Sequence, residues 1–331
     1  MFPSAVDPAI LQALGLDAAS SKMAPHGGSG FASSFKLTGM TKDGEDRTFF
    51  VKTGTGPDAD TMFRGEHASL NAIHAAVPSL NLCPRSHAHG ALSSSPNKYF
   101  LATDFLDLAA NSSSSSKGSG LSLAGKLAQL HTTPAPIPSG HTSPQFGFPV
   151  STCCGATEQD NSFNSSWADF YANSRLRGVL RSGIRNNGAD AELSRTVETV
   201  ASKVVPRLLG DGHLNGVVPV VVHGDLWSGN HGWGRIGAAG GVEEVVYDPS
   251  CVYGHSEYEL GIMRMFGGFG KEFWSEYGRL VKKAEPEEEW EDRVSLYELY
   301  HHLNHFSLFG GGYRSGAMSI MKRLINKYGK D

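Results

Sequence analysis

The apolar run Val217–Val222 ends in a cluster of small and polar residues, and this junction strongly constrains the fold. The run is much shorter than the ~20 residues that a helix needs to cross a bilayer. Its β-branched residues favour a short buried strand instead. The following residues, His223 to Asn230, include His, Asp, Trp and Asn side chains that a hydrophobic core does not require. The sequence therefore predicts a strand that leads into a functional loop.

Length and charge limit the kind of protein that the chain can be. A chain of 331 residues exceeds the usual size of one hydrophobic core, so two lobes are expected. The formal net charge of −4 provides no basic footprint for nucleic acid or an anionic membrane, so a small-molecule partner is predicted. The oligomeric state is left open, with a monomer favoured.

The N-terminal residues lack a basic stretch followed by an apolar one, so no secretory signal is predicted. Cys83, Cys153, Cys154 and Cys251 have no C-x-x-C spacing, which is typical of thiols in a reducing compartment. We therefore expect a cytoplasmic protein.

The first third of the chain predicts a hairpin, a helix and a further strand. Asp43-Gly44 is a strong turn signal between the predicted strands Phe31–Met40 and Arg47–Lys52. Apolar residues then recur at helical spacing over Ala59–Ala76, and the segment Tyr99–Phe105 predicts another strand. This order indicates an antiparallel sheet with one helix.

Beyond the last of these strands, residues 110–120 are rich in Ser and Gly and predict a flexible surface insertion. We therefore place an N-terminal lobe at residues 1–106 and a C-terminal lobe at residues 107–331. The pattern predicts a two-lobed α+β fold whose C-terminal lobe is mainly helical. Helical periods are found at residues 121–131, 167–185, 191–209 and 290–327, and short β signals at 217–222 and 243–247.

Three polar residues in loops have the chemistry of phosphoryl transfer. Asp225 precedes Asn230 by five residues, and Asp248 follows the second β signal. One carboxylate can accept a hydroxyl proton, while an amide and a second carboxylate can hold Mg²⁺. The alternative for the first pair is a turn that caps its own backbone, and for Asp248 an ordinary residue before proline.

Phosphate-binding residues occur upstream in the order found in kinases. Gly27, Gly28 and Gly30 lie between predicted strands, Lys52 ends a strand, and Glu66 follows on the helix. Each is weak by itself, since glycine turns and exposed Lys or Glu residues are common. In combination with the downstream Asp, Asn and Asp, they predict ATP as a substrate.

These residues resemble the fructosamine-3-kinase or ketosamine-3-kinase family, which is related to the aminoglycoside and choline phosphotransferases and has a protein-kinase-like fold. The resemblance covers nearly the whole chain. The run from His223 to Phe269 and the Thr-Cys-Cys-Gly stretch are specific to this family. The stretches that carry it are Phe63-Arg-Gly-Glu66, Phe146-Gly-Phe148, Thr152-Cys-Cys-Gly155, His223-Gly-Asp-Leu-Trp-Ser-Gly-Asn230, Asp248-Pro249, Tyr253-Gly-His-Ser-Glu-Tyr-Glu-Leu260, Met265-Phe-Gly-Gly-Phe269 and Leu303-Asn-His305.

The resemblance implies a role for each of these groups. Asp225 would be the catalytic base, and Asn230 and Asp248 would hold Mg²⁺. Lys52, paired with Glu66, would contact the α- and β-phosphates. The backbone of Asp104, Phe105 and Leu106 would receive adenine, Trp227 and His305 would contact the sugar, and Glu259 would brace the catalytic loop. The alternative for Trp227 is a half-buried packing aromatic residue, and the alternative for His305, which the residues themselves favour, is a core histidine.

The function implied by the resemblance is an ATP- and Mg²⁺-dependent ketosamine-3-kinase. It would phosphorylate the sugar 3-hydroxyl of fructosamines or ribulosamines on amines or proteins, which leads to deglycation. One alternative is a kinase of the aminoglycoside or choline phosphotransferase type, and another is a nucleotide-binding pseudokinase scaffold. A protein kinase is disfavoured, because no Asp-Phe-Gly or Ala-Pro-Glu motif brackets an activation loop.

The cysteines give one departure from the family pattern. Several family members form redox-sensitive dimers through a cysteine in the glycine loop, whereas the sequence from Gly27 to Lys52 contains none. We therefore do not expect redox switching through this loop. For Cys153 and Cys154 we favour small side chains packed near the substrate region over redox catalysis.

Overall fold

The computed structural model of the protein describes residues 5–29, 32–108, 120–237 and 241–329. Gly30 and residues 110–119 of the predicted insertion lie outside these ranges. No helix within them is both long and apolar enough to cross a membrane. The cytoplasmic location stays a prediction.

The chain divides into two compact units, each built from two stretches of sequence. The first comprises Met1–Leu123 and His231–Pro249, and the second comprises Ala124–Asn230 and Ser250–Asp331. The first contains an antiparallel sheet and the second is mainly helical. The α+β class is therefore as predicted, although the division of the sequence is not.

The first unit starts with a short helix that was not predicted. The Asp7 carboxylate caps it by accepting a 2.8 Å hydrogen bond from the backbone nitrogen of Ala9. Pro8 begins the helix, and Gly15 ends it in a left-handed conformation. The elements up to residue 107 are α1 (Pro8–Leu14), β1 (Lys22–Ser29), β2 (Ala32–Met40), β3 (Asp46–Thr55), α2 (Pro57–Ala76), β4 (Ser86–Ala91), β5 (Lys98–Asp104) and β6 (Leu106–Asp107).

Five of these strands form one antiparallel sheet in the order β1-β2-β3-β5-β4. The predicted hairpin around Asp43-Gly44 is confirmed, with Ser34 opposite Lys52 across β2 and β3. The predicted helix is α2, whose Phe63 packs with Leu101 of β5 in a small hydrophobic cluster. Lys52 therefore lies on a central strand of this sheet.

Helices predominate in the next stretch, and the predicted helical periods appear as α-helices interrupted by wider π-helical turns. π-helical turns often occur at functional or strained positions. The elements are α3 (Leu123–Thr132), β7 (Thr152–Cys154), β8 (Thr157–Gln159), α4 (Trp167–Phe170), a π-helix (Tyr171–Arg177), α5 (Gly178–Asn187), α6 (Ala191–Thr199), a π-helix (Val200–Val204), α7 (Val205–Leu209), β9 (Val220–Val222) and a 3₁₀ turn (Ser228–Asn230). The strand predicted at Val217–Val222 begins three residues late, after Pro219.

The rest of the chain returns briefly to strands and ends in helices. The final helical segment is broken at Gly310 to Gly312. The elements are β10 (His231–Ile236), β11 (Glu243–Val246), β12 (Val252–Gly254), a 3₁₀ turn (Ser256–Tyr258), α8 (Glu259–Phe266), α9 (Lys271–Leu280), a 3₁₀ turn (Glu287–Glu289), α10 (Trp290–Phe309) and α11 (Tyr313–Tyr328).

The pairing of β10 corrects the predicted boundary after residue 106. β10 pairs with β11 and also with β6, where Ile236 lies opposite Leu106. In addition, the backbone nitrogen of Leu123 donates a 2.7 Å hydrogen bond to Glu244. These contacts place the described residues of 107–123 and 231–249 in the first unit, although both stretches were assigned to the second lobe.

The second unit has a buried aromatic core that fixes the helices carrying its polar residues. Trp167 donates a 2.8 Å hydrogen bond from Nε1 to the hydroxyl of Tyr297, and His255 lies 2.9 Å from the same hydroxyl. Tyr258 packs edge-on against Tyr297 at 5.7 Å. Because buried tyrosine and tryptophan need partners for their polar atoms, this network holds α10 in one position against the turn that precedes α8.

Candidate active site

A cavity of about 380 Å³ lies within the first unit and brings several predicted residues together. Apolar side chains, among them Leu70, Leu106 and Leu108, line part of its wall. Lys52, Glu66 and Asp248 also line it. A cavity with apolar walls and a few charged groups suits a ligand with an apolar ring and a polar tail.

Lys52 forms ion pairs with two carboxylates. Its Nζ lies 2.8 Å from Oε1 of Glu66 and 2.7 Å from Oδ1 of Asp248. The Lys52 and Glu66 side chains are only 14% and 11% exposed. Burial alone would lower the pKa of Lys52, but the two carboxylates outweigh it and raise this pKa above its ordinary value. Lys52 is therefore an ammonium ion at neutral pH.

Glu66 is placed in the cavity by the spacing of α2. Phe63, Glu66, Leu70 and Ile73 lie three or four residues apart and so share one face of the helix. The three apolar members are buried. A carboxylate within such an apolar stripe needs a cationic partner, and Lys52 of β3 provides it.

Asp248 follows β11 and has an unusual backbone conformation, with a φ of +56°. Left-handed conformations at residues other than glycine cost energy and cluster at functional sites. Its side chain is 49% exposed. One carboxylate oxygen accepts from Lys52, and the carboxylate therefore stands where solvent or a ligand can reach it.

Two glycines of the predicted glycine loop, Gly27 and Gly28, lie in the last part of β1. Gly27 lines the cavity and has a φ of +70°, which a residue with a side chain rarely adopts. Gly28 pairs with Ser33, and the register shifts between Pro25 and Gly28. Gly30 lies outside the described residues. The roles of these glycines in phosphate binding stay predictions.

The segment predicted to receive adenine has two residues at the cavity. Asp104 and Leu106 line it, whereas the Phe105 ring packs 5.1 Å from the ring of His26. The carbonyl oxygen of Phe105 accepts a 2.9 Å hydrogen bond from the backbone nitrogen of Gly237, so this oxygen already has a partner within the protein.

The side chain of Asp104 has a structural role at the end of β5. It accepts hydrogen bonds from the backbone of Arg85 at 3.0 Å and from the ring of His87 at 2.7 Å. Burial alone would raise the pKa of this carboxyl, but these two donors lower it overall. A contact with adenine would therefore use the Asp104 backbone rather than its carboxylate.

In the second unit, the loop after β9 is held by Glu259. The carboxylate accepts hydrogen bonds from the backbone nitrogen of His223 and, at 3.0 Å, from that of Gly224. A Cβ atom at Gly224 would lie 2.2 Å from the carbonyl oxygen of Ser250, so this turn requires glycine. The predicted brace is thus observed.

Glu259 is completely buried and lies 3.6 Å from Nε2 of His131. Burial would raise the pKa of Glu259, but the neighbouring His131 ring and the hydrogen bonds from the loop backbone hold it below its ordinary value. Sequence reasoning missed His131, because no local pattern connects residues 128 positions apart.

Asp225 and Asn230 lie together in this loop. The side-chain nitrogen of Asn230 donates a 2.9 Å hydrogen bond to the backbone oxygen of Asp225 and lies 3.5 Å from its Oδ2. Asp225 is half-buried and Asn230 is buried. The hydrogen bond to the backbone is what a self-capping turn would show, and such a turn was the alternative to a functional role for this pair. The same contact also orients both side chains.

Trp227 lies in an aromatic group together with His305. The Trp227 ring is 5.8 Å from the ring of Phe266, which is 5.0 Å from the ring of His305. Trp227 is 39% exposed, so it is a surface aromatic residue rather than a core one. A Cβ atom at Gly229 would come within 2.1 Å of the Trp227 ring, so glycine there permits this ring position.

His305 is half-buried, and its Nδ1 donates a 2.8 Å hydrogen bond to the carbonyl oxygen of His301. A carbonyl oxygen only accepts, so Nδ1 carries the proton. Burial lowers the pKa of His305, and the ring is neutral near pH 7. Its contacts with the sugar, like those of Trp227, stay predictions.

The donors predicted for Mg²⁺ have suitable chemistry. Asp248 offers a half-exposed carboxylate, and the hydrogen bond from the Asn230 amide nitrogen to Asp225 fixes the direction of the amide oxygen. Mg²⁺ prefers oxygen ligands and is commonly bound by one or two protein groups together with phosphates. Each of the two residues therefore offers a type of ligand that the ion accepts.

A larger cavity of about 520 Å³ lies in the second unit. Its lining includes Met263, Trp274 and Trp290 but none of the residues predicted from the sequence to bind nucleotide, metal or substrate. The smaller cavity is the nucleotide candidate because of the groups that line it, not because of its size.

Comparison with known proteins extends these observations to the whole chain. A model of the fructosamine kinase family matches residues 9–327. A ketosamine-3-kinase from Mus musculus is 32% identical over 330 residues, covering 93% of this chain and 97% of that protein. A chloroplastic protein-ribulosamine 3-kinase from Arabidopsis thaliana is 35% identical over 277 residues, covering 83% and 75%.

Solved structures support the same fold. The structure of a protein from Thermobifida fusca has a TM-score of 0.70 at 23% identity, covering 97% of this chain and 98% of that chain. A thermostable mutant of an aminoglycoside phosphotransferase, in a ternary complex with AMP-PNP and hygromycin B, has a TM-score of 0.54 at 13% identity, covering 98% and 97%. The fold is therefore the two-lobed, protein-kinase-like α+β fold predicted from the sequence.

Proposed function

Since this chain belongs to the fructosamine kinase family, we propose that it transfers the γ-phosphate of ATP to the sugar 3-hydroxyl of a ketosamine. Membership makes the protein an ATP-dependent kinase, and the names of its relatives support ketosamines and ribulosamines as the substrate class. The observation that carries the proposal is the buried Lys52–Glu66 pair beside Asp248 in the cavity of the first unit.

The proposed roles in the first unit concern the nucleotide. The Lys52 ammonium contacts the α- and β-phosphates, and Glu66 keeps it charged and directed into the cavity. Gly27 allows the backbone in the last part of β1 to approach the phosphates without a side chain in between. The apolar side of the cavity, with Leu70 and Leu106, accommodates the adenine ring.

Asp248 and Asn230 are the proposed ligands of Mg²⁺. When bound, the ion neutralises charge on the phosphate oxygens. Asp248 provides a carboxylate and Asn230 an amide oxygen, which are both ligand types that this cation accepts.

Asp225 is the proposed base, and it orients the acceptor hydroxyl. The carboxylate accepts a hydrogen bond from the sugar 3-hydroxyl while that oxygen attacks the γ-phosphorus in line. The transition state of phosphoryl transfer is loose, so the proton leaves late and orientation is the main contribution. The proton finally resides on the Asp225 carboxylate.

The sugar lies against Trp227 in this proposal. An exposed indole offers an apolar face to the C–H groups of a sugar ring, and His305 offers a neutral ring with a fixed tautomer. The product carries a phosphate on the 3-oxygen, which is a better leaving group than hydroxide. Elimination of this phosphate leaves an adduct whose bond to the amine is then hydrolysed by water, so the amine is freed and the reaction serves deglycation.

The test is an ATP-consumption assay over small ketosamines that contain fructosamine, ribulosamine or psicosamine groups. We expect turnover with at least one of them, and none with its 3-deoxy analogue. Choline and kanamycin serve as controls for the other phosphotransferase types. A higher kcat/KM for either control would refute the proposed substrate class, whereas ATP binding without turnover of any acceptor would favour a pseudokinase.

A further inference from the structure

One cysteine of the Thr-Cys-Cys-Gly stretch contacts the proposed base. Sγ of Cys154 lies 3.5 Å from Oδ1 of Asp225 and donates a hydrogen bond to it. The distance suits a sulfur donor, whose radius exceeds that of nitrogen or oxygen. Cys154 is only 1% exposed, so it contacts the carboxylate from the protein interior and not from solvent. No step of the proposed reaction uses this thiol.

The thiol is held in its donor form. Burial raises the pKa of Cys154 well above its ordinary value, and the charge of Asp225 raises it further. A carboxylate only accepts hydrogen bonds, so the proton between the two groups belongs to sulfur. The same burial and charge make Cys154 a poor nucleophile, since reactive cysteines are accessible thiolates.

The strand that carries Cys154 is itself fixed. Cys154 pairs with Thr157 across β7 and β8. Its carbonyl oxygen accepts a 3.1 Å hydrogen bond from the side chain of Asn304 on α10. Asn304 is itself buried. Thr152, at the start of the strand, bonds to Gln159 at 3.0 Å. The thiol therefore projects from a rigid support, which a residue that aligns another group requires.

We propose that Cys154 is a positioning residue, whose S–H group holds one oxygen of Asp225 and thereby presents the other oxygen to the acceptor hydroxyl. The proposal rests on Asp225 as the base of the proposed function. Misplacement of a catalytic group by about 1 Å can cost a hundredfold in rate, so the direction of this carboxylate matters.

A thiol suits this task better than a cation does. An Arg or Lys at the same place would stabilise the negative charge of Asp225 and weaken it as a base. The S–H group is a neutral, weak donor, so it can orient the carboxylate without forming an ion pair with it.

The test compares Cys154→Ala, which removes the donor, with Cys154→Ser, which keeps one. We expect Cys154→Ala to lower kcat for a ketosamine about tenfold, the effect of losing one modest hydrogen bond in the transition state. KM for ATP and for the ketosamine should stay within about twofold, because an interaction that matters only in the transition state changes kcat. Cys154→Ser should recover most of the lost rate.

The matched control is Cys153→Ala. Successive side chains of a strand point to opposite faces, so Cys153 projects away from Asp225, and its replacement should leave kcat unchanged. The second control repeats Cys154→Ala in an Asp225→Asn background. With the base already removed, the loss of its hydrogen bond should cost nothing more.

The outcomes separate this inference from the proposed function. If Asp225→Asn keeps the wild-type turnover, the base assignment fails, and the inference fails with it. If Asp225→Asn is inactive while Cys154→Ala keeps the wild-type kcat, only the inference fails. If Cys154→Ala and Cys154→Ser lower kcat by the same factor, and both do so again in the Asp225→Asn background, the inference also fails. That result would mean that Cys154 contributes packing alone.

A melting curve should accompany each variant. If Cys154→Ala does not fold, Cys154→Val serves as the variant that lacks a donor, and its kcat is compared with that of Cys154→Ser. A tenfold lower kcat for the Val variant supports the positioning role, and equal rates overturn it.

Discussion

The ammonium nitrogen of Lys52 lies 2.7 Å from Oδ1 of Asp248, a residue 196 positions further along the chain. Since Lys52 also pairs with Glu66, a single cation balances two carboxylates. A polyphosphate that enters the cavity would compete with Asp248 for this cation. We therefore expect nucleotide binding to release Asp248 from Lys52 and to make its carboxylate available to a metal ion.

Replacing Lys52 should impair the use of ATP. Lys52→Arg keeps the charge, but its fork-shaped group needs a different geometry, so we expect kcat/KM for ATP to fall by roughly a hundredfold with little loss of stability. Lys52→Met should lower it at least as much and also destabilise the fold by about 3–5 kcal/mol, because Glu66 would be buried without its partner.

Steady-state kinetics and thermal melts of both Lys52 variants check this prediction. Lys98→Met is the matched control, because Lys98 is an exposed lysine at the start of β5 and is not part of the cavity lining. If Lys52→Arg used ATP as efficiently as the wild type, the assignment of this lysine to the phosphates would be wrong.

Asp248→Asn should weaken the productive binding of ATP with Mg²⁺. A neutral amide replaces a charged ligand of a hard cation, so we expect the thermal shift caused by Mg²⁺ and ATP to shrink and turnover to collapse. Titration of the melting temperature with Mg²⁺ at fixed ATP measures this loss. Asp43→Asn, on the turn before β3, is the control. Wild-type turnover in excess EDTA would argue against any role for the metal.

Asp225→Asn should leave nucleotide binding nearly intact while it reduces kcat for the ketosamine by at least about a hundredfold, within the range of a positioned base. The variant keeps the shape of the side chain and loses its charge. Turnover of the purified variant is compared with its thermal shift in Mg²⁺ and ATP. If both were lost, Asp225 would be a structural turn residue.

Glu259→Gln should destabilise the protein at neutral pH. The amide cannot accept from both His223 and Gly224 as the carboxylate does, and a buried donor without a partner costs about 1–3 kcal/mol. The exposed Glu272 of α9 provides a control, Glu272→Gln, that should change little. Urea unfolding at pH 7 measures both free energies of unfolding.

This effect should depend on pH with a definite sign. The folded pKa of Glu259 lies below its ordinary value of 4.5, so the carboxylate stabilises the native state fully above about pH 4.5. The stabilisation is lost as the pH falls through the folded pKa. The difference between wild type and Glu259→Gln should therefore shrink in acid. A difference that grew below pH 4.5 would contradict the brace.

Elements with local signals could be predicted from the sequence. The turn at Asp43-Gly44 and the apolar spacing of α2 depend on neighbouring residues, and both were predicted correctly. Helix α1 was missed, although the cap at Asp7, the following Pro8 and the terminal Gly15 are start and stop signals. The pairing of β6 with β10 left no local signal, because one strand has two residues and the other is rich in glycine.

The contacts of the candidate site also divide into those that were expected from the sequence and those that were not. The family resemblance implied the pairing of Lys52 with Glu66, and this ion pair is present. The contacts of Lys52 with Asp248 and of Cys154 with Asp225 could not be predicted, since each joins residues far apart in sequence. Such contacts depend on the tertiary packing of whole elements and produce no periodic pattern in the sequence.

Because the chain returns to the first unit at β10 and β11, a single truncation cannot isolate this unit. A fragment that stopped at Leu123 would leave the backbone groups of β6 without β10, and the nitrogen of Leu123 without Glu244. Truncation at Leu123 would therefore expose a strand edge prone to aggregation. An isolated first unit must contain residues 231–249 as well as the segment that ends at Leu123.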